Sequence, residues 1–321
     1  MALLLIGAAT HGYALELSKY PAPVEAHDPS RVVEIAPGVY STFASSNPEW
    51  AHHLRQLVLD TNHPNPQWAL QGHWPVGTVL PGFESWTRGW WEEYGYDYEN
   101  QVAHLEIAAV APTQIDADTV YFNMRNIPGW GFAIENELEP AMFMGMYRAT
   151  ATGTWPNQTW TMDPRPVYFS DGFTWELGGP RAVDAQVWDD QDGKRYVTFG
   201  SWDPADRNVI VTAELDTTTG RLAGLPADEP GYYFGNESMF KTIATFGEAA
   251  TIYQRGPDDY HLFLNVEGCC SGVDSKYTIV TGRSSSPFGP FVDRDGQRFD
   301  QVYPAAFELQ PHLEQFPGEL L

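Results

Sequence analysis

The amino-acid sequence predicts an all-β protein folded as a five-bladed β-propeller, and three observations lead to this fold class. The 321 residues include 29 glycines and 25 prolines, and only 19% are charged, which favours many short strands joined by tight turns. Runs of alternating apolar and polar residues come in pairs separated by turn residues, as in β-hairpins. These pairs recur about every 60 to 80 residues, and such repetition of small sheets is typical of a propeller.

Four blades can be located from their alternating runs and the Gly, Asn or Asp turns between them. The first begins at GVYSTFAS (38–45), and the others are the following pairs: 118–126 with 143–151, 193–202 with 208–215, and 259–266 with 277–284. Only 25 residues follow Gly296, fewer than the roughly 40–50 of a typical blade. The fifth blade is therefore expected to be truncated at the C-terminus or completed by the N-terminal strand.

The propeller is expected to occupy residues 22–321 as a single domain with one long insertion. Residues 46–103 depart from the alternating pattern and are rich in Trp, Pro and His, so we interpret them as an aromatic-rich insertion between the first two blades. Tryptophans there, and one after a predicted inner strand, are candidate platforms for a sugar ring, although those of the insertion equally fit a role in burying it. The candidates are Trp74, Trp90, Trp91 and Trp202.

The charge balance and the short motifs exclude several classes of partner and site. The formal net charge is −24 with only 18 Lys and Arg residues, which argues against nucleic acid and anionic membranes as partners. No run approaches the roughly 20 apolar residues of a membrane span, and no HExxH or CxxC motif supports a zinc or redox site. Residues 1–14 fit either a signal peptide without the usual basic start or a buried strand, and we expect a secreted monomer.

Three carboxylates stand near the starts of blade units, among small or apolar residues rather than among other charges. They are Asp28 in EAHDPSRVVEI, Asp184 in RAVDAQVW and Glu248 in FGEAATIY. Because the first strand of each propeller blade lines the central channel, the three side chains are expected to converge there. Glycosidic cleavage requires two such carboxylates, one to donate a proton and one to activate water. Isolated acids of this kind are also common as turn or cap residues.

The same segments resemble glycoside hydrolase family 43, whose members include endo-arabinanases, arabinofuranosidases and xylosidases. HDPS (27–30) looks like the family's catalytic-base motif, and AVDAQVWDDQDGKRYVTFGSW (182–202) looks like its second-acid segment. GEAATIYQRGPDDYHLFLNV (247–266) is similar to the segment that carries the general acid. The paired-cysteine segment 268–296 resembles the endo-arabinanase branch, and the whole resemblance runs, in the correct order, over residues 22–296.

The resemblance implies a propeller enzyme that hydrolyses α-L-arabinofuranosyl linkages of arabinan or arabinose-containing hemicellulose by single displacement with inversion. It assigns the general base to Asp28, the general acid to Glu248, and the tuning and orientation of that acid to Asp184. No cofactor is required for this chemistry. The family's structural calcium ion in the central channel is implied as well, but no fifth-blade histidine matches, since His312 stands in a different context.

The only two cysteines, Cys269 and Cys270, are neighbours and therefore do not join distant segments. They either form a strained vicinal disulfide or stay reduced beside the channel, and in both states we expect them to shape the sugar cleft. Two alternatives stay open for the function: an exo-acting family member such as a xylosidase, and a non-catalytic polysaccharide-binding propeller. A plant cell-wall polysaccharide or oligosaccharide is the expected partner.

Overall fold

In the computed structural model of the chain, the described residues form four antiparallel β-sheets. The structure describes the following stretches of the sequence: residues 29–44, 54–71, 105–128, 143–163, 167–171, 183–200, 209–225, 239–266 and 278–301. The sixteen regular elements within these stretches are all β-strands. The all-β class predicted from composition and alternation is therefore confirmed in the part of the chain that the structure describes.

The first sheet has four strands in chain order and includes part of the predicted insertion. Its strands are β1 (Val33–Ala36), β2 (Val39–Ala44), β3 (Arg55–Asp60) and β4 (Trp68–Gln71). The assignment of residues 46–103 to an insertion is wrong for 54–71, because β3 and β4 pair there as the outer strands of the sheet. Leu57 and Val58 are both buried although they point to opposite faces, which explains why β3 lacks the alternation of a half-exposed strand. The rest of 46–103 lies outside the described residues.

The second sheet contains five strands. They are β5 (Leu105–Asp116), β6 (Thr119–Pro128), β7 (Phe143–Thr152), β8 (Thr159–Met162) and β9 (Tyr168–Asp171). The strand order is β5-β6-β7-β8, and β9 pairs with a different part of β7. The predicted pair 118–126 and 143–151 is confirmed as the antiparallel β6 and β7.

The third and fourth sheets follow two of the predicted acids. The strands of the third sheet are β10 (Gln186–Asp189), β11 (Arg195–Phe199), β12 (Ile210–Leu215) and β13 (Lys241–Ala244). The fourth sheet contains β14 (Glu248–Gly256), β15 (Asp259–Val266) and β16 (Thr278–Ser284). Both predicted strand pairs are confirmed, as β11 with β12 and β15 with β16. Beyond β16 the chain turns back, and Val292 forms isolated bridges with Arg283 and Arg298.

The sheets pack face to face in chain order, with an apolar layer between each neighbouring pair. Phe43 and Phe122 belong to the layer between the first two sheets, and Tyr168 and Phe199 to the next layer. Leu262 belongs to the layer between the third and fourth sheets. The first strands lie innermost, because β5 packs against β1 and β10, and β10 packs against β14. Four of the five predicted blades are thus confirmed; of the C-terminal residues assigned to a fifth, 297–301 are described and 302–321 lie outside the described part.

Candidate active site

Asp184 and Glu248 enter the third and fourth sheets at the same edge. Asp184 lies two residues before β10, and Glu248 is the first residue of β14. β13 ends at Ala244, only four residues before Glu248, so the chain passes directly from one sheet to the next at this edge. Both acids are half-buried. We call the edge at which the first strand of each sheet begins the entry edge.

The backbone around Asp184 is held in an uncommon conformation. Asp184 has a φ of 51°, in the left-handed region that residues with a side chain rarely adopt. The amide N–H of Gly200 donates to the carbonyl oxygen of Val183 at 3.0 Å, which ties the residue before Asp184 to the end of β11. Gly200 has a φ of 131°, and a Cβ atom there would lie 2.0 Å from the carbonyl oxygen of Val209. Only glycine fits this position, so Gly200 is part of the means by which Asp184 is placed.

Glu248 is aimed by a β-bulge and by its two neighbours. Gly247 has a φ of 80°, and a Cβ atom there would lie 2.9 Å from the carbonyl oxygen of Asn265. Ala249 has a φ of 49°, so the residue directly after Glu248 is left-handed although it carries a side chain. Glu248 pairs with Asn265, but regular pairing resumes only at Thr251 after a shift of register. Such bulges re-aim a side chain and are enriched next to active sites.

The third predicted acid, Asp28, lies outside the described residues, but the residues soon after it are described. Ser30 is buried, and its N–H donates to the carbonyl oxygen of Phe43 at 2.7 Å. The N–H of Phe43 in turn donates to Ser30 Oγ at 3.0 Å. Arg31 Nε donates to the carbonyl oxygen of Gln114 in β5 at 2.7 Å. The last residue of the HDPS motif is therefore fixed to the first sheet, and the next residue to the second.

Three of these positioning residues were not predicted from the sequence. They are Ser30, Gly200 and Gly247. Gly247 directly precedes Glu248, and a glycine beside a candidate acid is a usable signal, because it permits a left-handed backbone at that point. For Ser30 the only signal is its place within the motif, since its partners lie on another strand.

The predicted sugar-binding residues lie outside the described part of the chain. These are Trp74, Trp90, Trp91, Trp202, Cys269 and Cys270. The strands on either side of Trp202 and of the cysteine pair are described, however. β11 ends and β12 begins at the entry edge, on either side of residues 201–208, and β15 and β16 do the same around residues 267–277. The chain therefore leaves and re-enters both sheets, around Trp202 and around the cysteine pair, at the edge that carries Asp184 and Glu248.

The described residues contain no recognisable metal centre. Within them, no group of three or more His, Cys, Asp or Glu side chains is arranged to hold a metal ion. His312, the one histidine after residue 261, lies outside them. The described part of the chain thus supplies no ligand set for the implied calcium ion. Within the same stretches, no helix has the length and apolar character needed to cross a membrane.

The arrangement around Asp184 and Glu248 is suited to acid–base chemistry. Proton transfer to or from a ligand requires a carboxyl group held within hydrogen-bond reach of the reacting atom. The two acids stand at the ends of paired strands and are placed by left-handed residues, obligatory glycines and a bulge. Groups supported in this way keep their position better than groups on a free loop.

Comparison with known proteins identifies a family and several relatives. Residues 144–306, slightly more than half of the chain, match the family described as Glycosyl hydrolases family 43. An extracellular endo-α-(1→5)-L-arabinanase of Bacillus subtilis is 32% identical over 123 residues, which are 36% of this chain and 32% of that protein. An extracellular endo-α-(1→5)-L-arabinanase of Thermotoga petrophila is 27% identical over 173 residues, 53% of this chain and 32% of that protein. The chain thus spans about a third of the length of these relatives.

Solved structures of arabinanases share the fold. An endo-arabinanase from Bacillus licheniformis superposes with a TM-score of 0.55 and 21% identity, over 86% of this chain and 77% of that chain. The α-L-arabinanase of Cellvibrio cellulosa complexed with arabinohexaose gives a TM-score of 0.55 and 16% identity, over 87% of this chain and 76% of that chain. At these identities the likeness shows the all-β propeller fold alone.

Proposed function

The chain belongs to glycosyl hydrolases family 43, and on that premise we propose that it is an inverting glycosidase that cleaves α-L-arabinofuranosyl linkages. The proposed substrates are arabinan and arabinose-containing hemicellulose of the plant cell wall. The arabinose specificity is supported by the curated relatives, which are named endo-arabinanases. The observation that carries the proposal is the entry of Asp184 and Glu248 at one edge of adjacent sheets, each with a left-handed residue at or beside it.

The proposed reaction is a single displacement. Glu248 donates its proton to the glycosidic oxygen as the bond from the anomeric carbon to that oxygen breaks. A water molecule attacks the anomeric carbon from the opposite face, and Asp28 accepts a proton from this water. Room for the water requires the base and acid carboxyl groups to stand roughly 6.5–9.5 Å apart. Carboxylates and water are sufficient for this reaction.

Asp184 has a supporting part in the proposal. A carboxylate near the proton donor favours the protonated form of that donor, because two negative charges at short range repel each other. Asp184 is thus proposed to keep Glu248 protonated and to orient it. The tie from Val183 to Gly200 holds the segment that carries Asp184 and supports this role.

Sugar contacts, domain extent and location complete the proposal. Aromatic faces bind sugar rings by stacking, and we propose this role for Trp74, Trp90, Trp91 and Trp202. Cys269 and Cys270 are proposed to shape the cleft.

We further propose a single catalytic domain over residues 22–321 that is monomeric and secreted. Secretion is supported by the names of the relatives, which are extracellular proteins.

A product assay tests the proposed activity directly. The unmodified protein is incubated with debranched arabinan, branched arabinan and xylan, and the products are separated by size. We expect release of arabinose or arabino-oligosaccharides from arabinan and little release from xylan. Oligosaccharides as first products indicate cleavage within the chain, whereas arabinose alone indicates cleavage from an end.

The stereochemistry is read from the same reaction. Proton NMR of the first product should show the anomeric configuration opposite to that of the substrate. Retention of configuration would contradict the single displacement while leaving the arabinanase activity intact. Binding of arabinan without any cleavage would instead favour the non-catalytic propeller.

A further inference from the structure

We infer that residues 299–301, which we call the latch, hold Glu248 in position through the link between the third and fourth sheets. The inference rests on the proposed role of Glu248 as proton donor and extends it to residues about 50 positions away in the chain. The latch lies beyond the last strand of the fourth sheet, and none of its residues was predicted to serve the site.

The latch is hydrogen-bonded to the link between the sheets. This link is residues 245–247, which join β13 to β14 and lead directly into Glu248. The amide N–H of Thr245 donates to the carbonyl oxygen of Phe299 at 2.9 Å. The hydroxyl of Thr245 donates to the carbonyl oxygen of Gln301 at 3.0 Å. One residue of the link therefore binds both ends of the latch.

The side chain of Phe299 anchors the latch to the fourth sheet. It is 1% exposed, and its ring centroid lies 5.0 Å from that of Phe246 at an interplanar angle of 67°. This edge-to-face arrangement is a favourable one for aromatic pairs. Phe299 also lies over Gly282 of β16, where a Cβ atom would come within 2.8 Å of its ring. The ring thus connects β16 to the residue directly before Gly247.

Strand β15 holds the other end of the link. Gly247 lies so close to Asn265 of β15 that no side chain fits there, and Glu248 pairs with the same residue. The link is thereby fixed at Thr245 by the latch and at Gly247 by β15. The left-handed backbone conformation of Ala249 is unfavourable in energy, and it persists only where surrounding contacts hold the backbone in place. The hydrogen bonds between Thr245 and the latch are part of those contacts.

The consequence is specific to proton donation. Misplacement of a catalytic group by about 1 Å can lower a rate by about 100-fold. A sugar hydroxyl is a poor leaving group and needs the proton from the acid, whereas a nitrophenolate leaves readily without it. A latch that positions Glu248 therefore matters for cleavage between two sugars and much less for cleavage of an activated aryl glycoside.

The test compares two threonine variants on two substrates. Thr245→Val removes the hydroxyl that donates to the latch and keeps the side-chain shape. Thr251→Val is the matched control, since Thr251 is exposed on β14 and lies outside the link. Each variant is assayed on a linear arabino-oligosaccharide and on the nitrophenyl glycoside of the same oligosaccharide. For Thr245→Val we expect kcat to fall about tenfold on the oligosaccharide and less than about threefold on the aryl glycoside.

The control and a second variant make the outcome decisive. Thr251→Val should leave both rates unchanged. Phe299→Leu removes the ring that packs against Phe246, and it should change the ratio of the two rates in the same direction as Thr245→Val does. An equal loss on both substrates, or no loss, overturns the inference, because a merely structural role lowers the folded fraction and both rates alike. Failure of the unmodified protein to cleave either substrate overturns the proposed function itself, and with it the role of the latch.

Discussion

The two edges of the sheets use carboxylates in different ways. At the edge opposite the entry edge, which we call the turn edge, Asp189 accepts two hydrogen bonds from Arg195, at 2.7 and 3.0 Å. Asp259 accepts bonds from Arg255 and Arg283, each at 2.7 Å. Each of these carboxylates is engaged by a guanidinium group, an arrangement that suits a structural role better than proton donation.

At the entry edge a left-handed backbone helps to place the acids. Asp184 is itself left-handed, and Glu248 stands between two left-handed residues at a bulge. A left-handed residue also occurs at the turn edge, where Asp258 beside Asp259 has a φ of 52° in a hairpin turn. The feature that marks the turn edge is the set of arginine partners of its carboxylates. The surroundings of an acid, more than its residue type, therefore distinguish a chemical role from a structural one.

The largest expected effect is the loss of activity on neutralising an acid of the entry edge. Glu248→Gln keeps the size of the side chain but removes its transferable proton. We expect kcat/KM on arabinan to fall by about 10²–10⁴-fold, the usual contribution of general acid catalysis. Asp184→Asn should lower it as well, by a smaller factor, because that residue acts through Glu248. The rate of arabinan cleavage is measured as the release of new reducing ends, and the binding of arabinan is measured in a separate experiment.

Asp259→Asn provides the matched control at the turn edge. It removes a carboxylate from a hydrogen-bonded cluster in the same sheet as Glu248, and we expect arabinan cleavage within about twofold of the unmodified protein, as for substitutions away from a site. Comparable losses of activity in Glu248→Gln and Asp259→Asn would abolish the distinction between the two edges.

The next effect in size is on stability and contrasts two glycines of the third sheet. Gly200→Ala at the entry edge would bring a Cβ atom to 2.0 Å from a backbone oxygen, whereas Gly193→Ala at the turn edge meets nothing within 4 Å. We expect the first to lower the free energy of unfolding by about 2–4 kcal/mol. The second should cost about 1 kcal/mol, since only its left-handed backbone is strained. Denaturant unfolding of both variants measures the difference, and equal costs would show that Gly200 is not required by packing.

The smallest expected effect is a pH-dependent one at the turn edge. Burial raises the pKa of Asp259, but hydrogen bonds from Arg255 and Arg283 outweigh burial and leave the pKa below its ordinary value of 3.8. A lowered pKa in the folded state contributes stability above pH 3.8, and this contribution is lost as the pH falls through the folded-state value. Both arginines are partly exposed, and solvent screening limits the contribution to about 1 kcal/mol at most.

The melting temperatures of Asp259→Asn and the unmodified protein measure this contribution. The variant should melt at a lower temperature at pH 7, and the two melting temperatures should converge as the pH is lowered below 3.8. A gap that persists in acid would assign the stabilisation to packing rather than to charge.

Much of the fold could be predicted because β-hairpins are recognisable in the sequence from alternating apolar and polar residues on either side of turn residues. The strands β15 and β16 show this alternation in their burial, whereas β11 and β12 are buried along almost their whole length. Both pairs, and the pair β6 with β7, form as expected. The strand β3 escaped prediction because its apolar residues adjoin instead of alternating with polar ones. The four-residue β4 is too short to show a period.

The candidate site could be predicted only as a set of residues. The acids Asp184 and Glu248 were found from motifs and from their place before predicted inner strands, and both indeed stand at such strands. Their orientation could not be read from the sequence, because a left-handed φ at Asp184 or Ala249 follows from contacts with other strands. Phe299 offers no signal at all, since its partners Phe246 and Gly282 are remote in sequence.

Side-chain alternation, turn residues and short motifs are local properties, and from them the all-β class, the repeated hairpins, the family and a set of candidate acids could be predicted. The tertiary structure alone decided how Asp184 and Glu248 are presented. Three contacts present them, and each joins residues that are not adjacent in the sequence. They are the close approach of Gly200 to the carbonyl oxygen of Val209, the bulge opposite Asn265, and the hydrogen bond of the latch to Thr245. Those contacts form only when neighbouring strands pair and the chain after β16 folds back, and they constrain the strained backbone to its place.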